Sequence, residues 1–126
     1  MHQFNPNETF EVAEHLVTRE GEGNRRSAVS RAYYAVFLLA RDLAEIEDRS
    51  ADVHQRTLRH YLSLGEKQIA KDLRFLRDCR NEADYSTRRL FTRRERDEAM
   101  RRSRHVRAAL QVLAGRLDYW QATPCR

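Results

Sequence analysis

The sequence is poor in residues that cross-link a chain or turn it sharply. Its 126 residues include two cysteines, two prolines and four glycines. Cys79 and Cys125 are too few for a disulfide framework, so we expect a reducing, cytoplasmic setting. The shortage of proline and glycine leaves few of the turns that a β fold needs, and it therefore favours an all-α fold.

Several functional classes also lack their sequence signals. The longest apolar run, Ala32 to Ala40, is too short to span a bilayer, and the first residues carry neither a basic leader nor an apolar segment. We therefore expect a soluble protein that is not exported. The motifs of zinc hydrolases, P-loop nucleotide hydrolases and serine hydrolases are absent, and the acidic residues form no metal-binding pattern. The sequence predicts no metal and no cofactor.

The charge of the chain is mainly positive and comes mainly from arginine. The net charge is +5, and all of the 24 basic residues except Lys67 and Lys71 are arginine. Arginine binds phosphate through two parallel hydrogen bonds and stacks on bases, so this composition makes RNA a candidate partner. The densest segment, Arg88 to Arg107, holds nine arginines and three acidic residues. Its alternative role is a solvated helix surface with i,i+4 ion pairs.

Hydrophobic periodicity predicts five helices and an up-and-down bundle of four to five helices. One domain is expected over residues 1–126, with its core at about residues 8–121. Residues 21–23, "GEG", should end the first helix, Ser50 should cap the third, and Gly65 should close it. Thr92 and Glu95 form a capping box for the fifth. Residues of the fifth helix recur at heptad-like spacing from Ala99 to Leu117 and Trp120 and should form a seam that packs along a neighbouring helix. The predicted helices cover roughly residues 8–19, 25–47, 51–64, 66–85 and 93–121.

A charged residue interrupts the apolar stripe of the fourth helix. At 100° per residue, Arg80 lies among Leu73, Leu76 and Ala83, which should face the core. An unpaired buried arginine costs several kcal/mol, so this side chain must be paired or must line a wet cleft. One interpretation is an i,i+4 ion pair with Asp84 at the edge of the bundle.

The other interpretation is a cleft lined by polar groups from several helices. One side of the second helix combines aromatic and basic residues, among them Arg31 and Tyr34, which suggests a surface that contacts another molecule. Arg31 could pair there with Asp84 or Glu82 on the fourth helix, or bind a ligand directly. The candidate cleft then comprises Arg31, Tyr34, His54, Arg77, Arg80, Asn81 and Asp84.

Two motifs of this chain resemble those of a known family. "SAVSRAYYAVFLLARDLA" at residues 27–44 and "LRDCRNEADY" at residues 76–85 contain R-x-YYA-x-F and R-x-x-ADY. In this order the motifs resemble the small single-domain branch of the prokaryotic HEPN superfamily, over roughly residues 8–120. The resemblance implies a helical bundle that usually forms a homodimer. It also implies a metal-independent endoribonuclease of toxin–antitoxin or defence systems, often acting with a nucleotidyltransferase.

The family's catalytic signature is incomplete in this chain. The signature is an arginine, often followed by asparagine, with four to six residues between the arginine and a histidine. Arg80 and Asn81 match its start, but residues 85–87 are Tyr85, Ser86 and Thr87. If Arg77 opens the signature instead, the expected positions are Glu82, Ala83 and Asp84, and they hold no histidine either. Aspartate and tyrosine ordinarily titrate far from neutrality, so Asp84 and Tyr85 are imperfect substitutes for it.

His54 is the remaining histidine of interest. It shares a helical face with Leu58 and Tyr61 and should point inward, either as a hydrogen-bonded core residue or as a proton carrier. The spacing from Arg49 to His54 also fits the signature, but it lies in the wrong part of the bundle. If the protein cleaves RNA, the candidate catalytic residues are Arg80, Arg77, Asp84, Tyr85 and His54, and the candidate RNA- or nucleotide-binding residues are Arg31, Tyr34 and Asn81. The alternatives are a non-enzymatic adaptor that docks a nucleotidyltransferase, or a nucleotide-binding bundle.

Overall fold

The computed structural model describes residues 2–47 and 50–122, with side chains as far as residue 117. Within those ranges the chain forms five α-helices and no β-strand. The elements are α1 (Asn7–Val17), α2 (Glu22–Leu43), α3 (Val53–Ser63), α4 (Lys67–Tyr85) and α5 (Arg93–Ala122). The expected all-α bundle is therefore confirmed. Trp120, which the heptad-like spacing of α5 placed in the core, lies outside the described side chains.

The second helix is the centre of the bundle, because α2 contacts each of the other four helices. Its alanines Ala28, Ala32 and Ala35 are fully buried, and small side chains let neighbouring helices approach closely. Larger buried residues fill the remaining space, including Phe10 on α1 and Tyr61 on α3. Each large apolar side chain of this kind contributes about 2 kcal/mol of burial energy.

Several local signals act as the sequence predicts. Gly65 follows α3 with a φ of 77°, the left-handed conformation that glycine adopts at a helix end. The capping box before α5 is confirmed, because the Thr92 backbone N–H donates to Glu95 at 3.0 Å. The Glu95 N–H in turn donates to the Thr92 hydroxyl at 3.1 Å. These two bonds satisfy donors that a helix N-terminus otherwise leaves free.

Three local predictions are wrong. Gly21 precedes α2 with a φ of 114°, but Gly23 lies inside that helix, so residues 21–23 both separate α1 from α2 and begin α2. Ser50 does not cap α3, whose N-cap residue is Asp52. The Ser50 hydroxyl donates to the Asp52 carboxylate instead of accepting a helix N–H. At the far end of α5 the apolar seam ends early, since Leu117 is 36% exposed.

Arg26 of α2 fixes the end of α4 and the linker that follows. Its Nη1 donates to the carbonyl oxygens of Glu82 at 3.2 Å and Ala83 at 2.9 Å. Its Nη2 donates to those of Ser86 and Arg89, both at 2.8 Å. The last carbonyls of a helix lack partners within the helix, so one guanidinium satisfies groups that would otherwise need water. The position of the "RNEADY" segment relative to α2 is set by this contact.

Candidate functional site

Arg80 lies where its helix meets the core and has no acidic partner among the described residues. Its guanidinium carbon is 5.3 Å from the centroid of the Tyr33 ring on α2. Its Nε is enclosed by protein and makes no hydrogen bond. The ion pair with Asp84 that the i,i+4 spacing allowed is not formed, because an Asp84 oxygen accepts from the Ser30 hydroxyl at 3.1 Å. Arg80 is therefore held by an aromatic ring and not by a carboxylate.

His54 enters the same region from α3. It is 5% exposed, and its Nδ1 lies 2.8 Å from the hydroxyl oxygen of Tyr33. Its ring also stacks near Phe37, with centroids 5.7 Å apart. The inward orientation expected from its helical face is present, and the hydrogen-bonded partner is a tyrosine of the central helix.

The electrostatic surroundings keep both members of this pair neutral at physiological pH. Burial and, to a lesser extent, the positive charges of Arg77, Arg80 and Arg74 together lower the pKa of His54 to about 4. Burial raises the pKa of Tyr33 to about 12, partly opposed by Arg80 and Arg77. A neutral imidazole beside a protonated phenol is the resulting state near pH 7.

The arginines that act on His54 form a row along α4. We call Arg74, Arg77 and Arg80 the arginine row; they are spaced by three residues and so lie on adjacent parts of one helix surface. In the part of the chain that the structure describes, none of the three has a carboxylate within ion-pair distance. Three neighbouring cations without counter-ions attract an anionic ligand.

The other predicted site residues on α2 and α4 are exposed to different extents. Asn81 is exposed, Tyr85 is 72% exposed and Tyr34 is 49% exposed, so all three are available to a ligand. Tyr34 lies one helical turn from Ser30, the residue that contacts Asp84. A surface that runs from α2 to α4 therefore combines aromatic, amide, acidic and basic groups.

Arg31 does not form the contacts that we expected of it. Asp84 accepts from Ser30, and the Glu82 carboxylate accepts from Arg89 at 3.0 Å, so neither predicted partner binds Arg31. Arg31 instead lines a cavity of about 390 Å³ whose other walls come from α1 and the residues before it. The expectation of a pair with the fourth helix was wrong because residues 30 and 31 lie 100° apart on α2, and the earlier one faces α4.

The most informative partners in this region were missed from the sequence. Neither Tyr33 nor Ser30 was among the candidate residues. A signal for Tyr33 did exist, because a buried tyrosine hydroxyl requires a hydrogen-bond partner and His54 also pointed inward. Which of several inward residues meet could not be read from either helix alone.

The arginines around α5 are engaged within the protein, in contrast to the row. Arg104 pairs with Glu14 of α1 at 2.8 Å, and Arg101 pairs with Glu98 at 2.8 Å. Arg102 bonds to Glu98 and to the buried Asp72 of α4. Further pairs in this segment join Arg89 with Glu82 and Glu95, Arg93 with Glu20, and Arg96 with Asp97. Much of the densest basic segment therefore stabilises the bundle.

The described side chains include no group of three or more His, Cys, Asp or Glu residues arranged to hold a metal ion. Within the same coverage, no helix is both long enough and apolar enough to cross a membrane.

A family model, described as the HEPN domain, matches residues 6–113 of this chain. The chain belongs to the HEPN domain family. Searches of curated proteins and of solved structures found no match. The match includes both sequence motifs and all of the helices that form the candidate site. HEPN membership agrees with the observed helical bundle and supports a function of the HEPN type.

Proposed function

We propose that this HEPN protein binds RNA and that the arginine row contacts the phosphates. The observation that supports the proposal is the lack of acidic partners for Arg74, Arg77 and Arg80 in the described structure, while most arginines of α5 are ion-paired. Guanidinium groups bind phosphate oxygens through paired, charge-assisted hydrogen bonds. A row that is not neutralised internally is free to do so.

The fixed position of Arg80 favours this role. Its contact with the Tyr33 ring restricts the guanidinium before any ligand arrives, so less side-chain entropy is lost on binding. The exposed Tyr34 and Tyr85 offer rings on which unpaired bases can stack, and Asn81 offers an amide that can donate and accept hydrogen bonds. Asp84 lies at the edge of this surface and would orient ligand groups rather than attract phosphate.

Binding is best tested with a labelled single-stranded RNA in EDTA, using fluorescence anisotropy at low and moderate salt. Arg77→Gln should weaken binding about tenfold, because it removes one charge-assisted phosphate contact. The matched control is Arg104→Gln, which makes the same charge change at an exposed arginine bonded to Glu14. Equal affinities of the two variants would contradict the assignment of RNA to the arginine row.

The second candidate function is metal-independent RNA cleavage at the same surface. It is favoured by the position of His54, which α3 brings into the field of Arg77 and Arg80 although the motif itself lacks a histidine. In this reading Arg80 and Arg77 stabilise the charged phosphate, Asp84 or Tyr85 orients the ribose, and His54 polarises the reacting group or carries a proton. The proposed setting is a toxin–antitoxin or defence module, with a homodimer and a nucleotidyltransferase as the expected assembly and partner.

Cleavage is tested by incubating the protein with total RNA in EDTA beside the Arg80→Ala variant. Products formed by the wild type and absent with the variant would support the ribonuclease. RNA that is bound but stays intact at every protein concentration would restrict the function to binding. If RNA is neither bound nor cut, the adaptor role becomes the better interpretation, with the face of Arg31 and Tyr34 as the docking surface.

A further inference from the structure

The hydrogen bond between Tyr33 and His54 can be oriented in two ways, and the surroundings distinguish them. Either the phenol donates to Nδ1 and the imidazole proton is on Nε2, or Nδ1–H donates to the phenol oxygen. In the second arrangement the Tyr33 O–H would need another acceptor. The structure records no hydrogen bond of this hydroxyl with any other described residue. Because an unsatisfied buried O–H is costly, the first arrangement is favoured.

The other ring nitrogen of His54 is then a hydrogen-bond donor without a partner. Among described side chains, the enclosed nitrogen and oxygen atoms that lack a partner are Nε of Arg41 and Nε of Arg80. His54 Nε2 makes no recorded hydrogen bond and is not one of these enclosed atoms, so it retains some access to solvent. A neutral N–H group in the electrostatic field of three arginines that lack acidic partners among the described residues is suited to an anionic oxygen.

We propose that Tyr33 is a positioning residue that fixes the Nε2–H tautomer of His54, so that His54 donates a hydrogen bond from Nε2 to a phosphate oxygen of RNA held by the arginine row. This inference rests on the proposed function. It also restricts the chemistry of the site, because Nε2 in this tautomer carries a proton and cannot remove one from a ribose hydroxyl. His54 acts as a neutral donor, which explains how a histidine coexists with the three arginines.

Two substitutions of His54 distinguish its nitrogens. The amide of glutamine reaches about as far as Nε2, whereas the shorter amide of asparagine reaches about as far as Nδ1. His54→Asn should therefore lower RNA affinity about fivefold or more, and His54→Gln, which keeps a donor near the position of Nε2, should lower it clearly less. Comparable losses for both variants would overturn the assignment of Nε2 as the contacting atom.

The role of Tyr33 is tested with a control from the same core. Tyr33→Phe should lower RNA affinity about threefold or more, because His54 is no longer held in one tautomer. Tyr61→Phe removes a similar buried hydroxyl, which donates to the Ala40 carbonyl oxygen at 2.6 Å, and should leave RNA affinity unchanged. Equal effects of the two variants would reduce Tyr33 to a packing role.

A spectroscopic readout makes the test independent of binding. Two-bond ¹H–¹⁵N correlation spectra of the wild type should show the His54 signal with protonated Nε2, and those of Tyr33→Phe should show a mixture of tautomers. A wild-type signal with protonated Nδ1 would overturn the inference. If Arg77→Gln loses affinity while Tyr33→Phe and His54→Asn bind as the wild type does, the inference fails and the proposed function stands. If Arg77→Gln has no effect, the proposed function fails.

Discussion

The arginines of α4 and α5 have the same chemistry but different surroundings. On α5, Arg102 bonds to Glu98 and to the buried Asp72, and Arg104 bonds to Glu14 across the bundle. On α4, Arg77 has no such partner among the described residues, and Arg80 rests against an aromatic ring. Local density of positive charge therefore does not locate the candidate ligand surface. The candidate surface is located by three neighbouring arginines on one helix that all lack acidic partners among the described residues.

The largest effect that separates the two helices should be on stability. Arg102→Met removes the guanidinium that lies 3.3 Å from Asp72, a residue only 2% exposed, and replaces it with an apolar side chain that should still pack on Phe75. Loss of an ionic partner from a buried carboxylate should lower the free energy of unfolding by about 3 kcal/mol. Arg77→Met is the matched change on α4, and it should alter stability by no more than about 0.5 kcal/mol. Urea unfolding followed by circular dichroism measures both. If both variants lowered the free energy of unfolding by similar amounts, the distinction between structural arginines on α5 and free arginines on α4 would be wrong.

A somewhat smaller effect is expected on RNA affinity. Here substitutions on α4 should have the large effect and those on α5 the small one. The double variant Arg77→Gln/Arg80→Gln should bind single-stranded RNA about 50-fold more weakly, equivalent to about 2.3 kcal/mol. It should also reduce the slope of log affinity against log salt by about 1.4, that is, two phosphate contacts on a single strand. The double variant Arg101→Gln/Arg104→Gln carries the same net charge and should change affinity less than about threefold. If the slope of log affinity against log salt were the same for the two variants, RNA binding would depend on the net charge of the protein alone.

The smallest of the three effects concerns the response of stability to pH. Because the pKa of His54 is about 4 in the folded protein and near 6.5 when unfolded, the unfolded state binds more protons between these values. Stability should therefore be complete above pH 6.5 and fall as the pH approaches 4, with His54 accounting for a loss of about 2 kcal/mol by pH 5. His54→Gln should remove this part of the decline.

Tyr61→Phe is the control for that experiment, since it alters the same core without a group that titrates in this range. Burial raises the pKa of the Tyr61 hydroxyl in the wild type, so this group does not titrate in the acidic range either. Thermal unfolding at pH 7.5, 6 and 4.5 gives the dependence of stability on pH for the wild type, His54→Gln and Tyr61→Phe. If the stability of His54→Gln fell with decreasing pH as steeply as that of the wild type, other groups would cause the acid sensitivity. The arginine row would then have no demonstrated effect on His54.

The sequence predicted the helices well because their apolar residues keep the helical spacing over many turns. The end of α4 at Tyr85 and the capping box of Thr92 were predicted correctly. Ser50 failed as a cap because a residue of the right type says nothing about where the helical dihedral angles begin, and the first helical residue is Val53. Boundaries beside loops depend on tertiary contacts that a local pattern does not contain.

Within the candidate site, angles on a single helix could be predicted, whereas contacts between helices could not. The inward position of Arg80 followed from 100° per residue, and so did that of His54. The bond between Tyr33 and His54 depends on how α3 is placed against α2, and Ser30 reaches Asp84 only because α2 lies beside α4. The partner chosen for Arg31 was wrong for the same reason. Periodicity gives the direction of a side chain and does not identify the neighbour that it meets.

The clamp made by Arg26 has a practical consequence for altering the protein. One side chain holds the backbone of α4 and of the linker through carbonyl oxygens, which every amino acid supplies. The exposed side chains of Thr87, Arg88 and Leu90 can therefore be exchanged with little effect on the path of the linker, whereas Arg89 is ion-paired and Phe91 is buried. The length of the linker is restricted, because one inserted residue would shift the Arg89 carbonyl out of reach. Fluorophores for following ligand binding are best introduced here by substitution, and longer tags belong elsewhere in the chain.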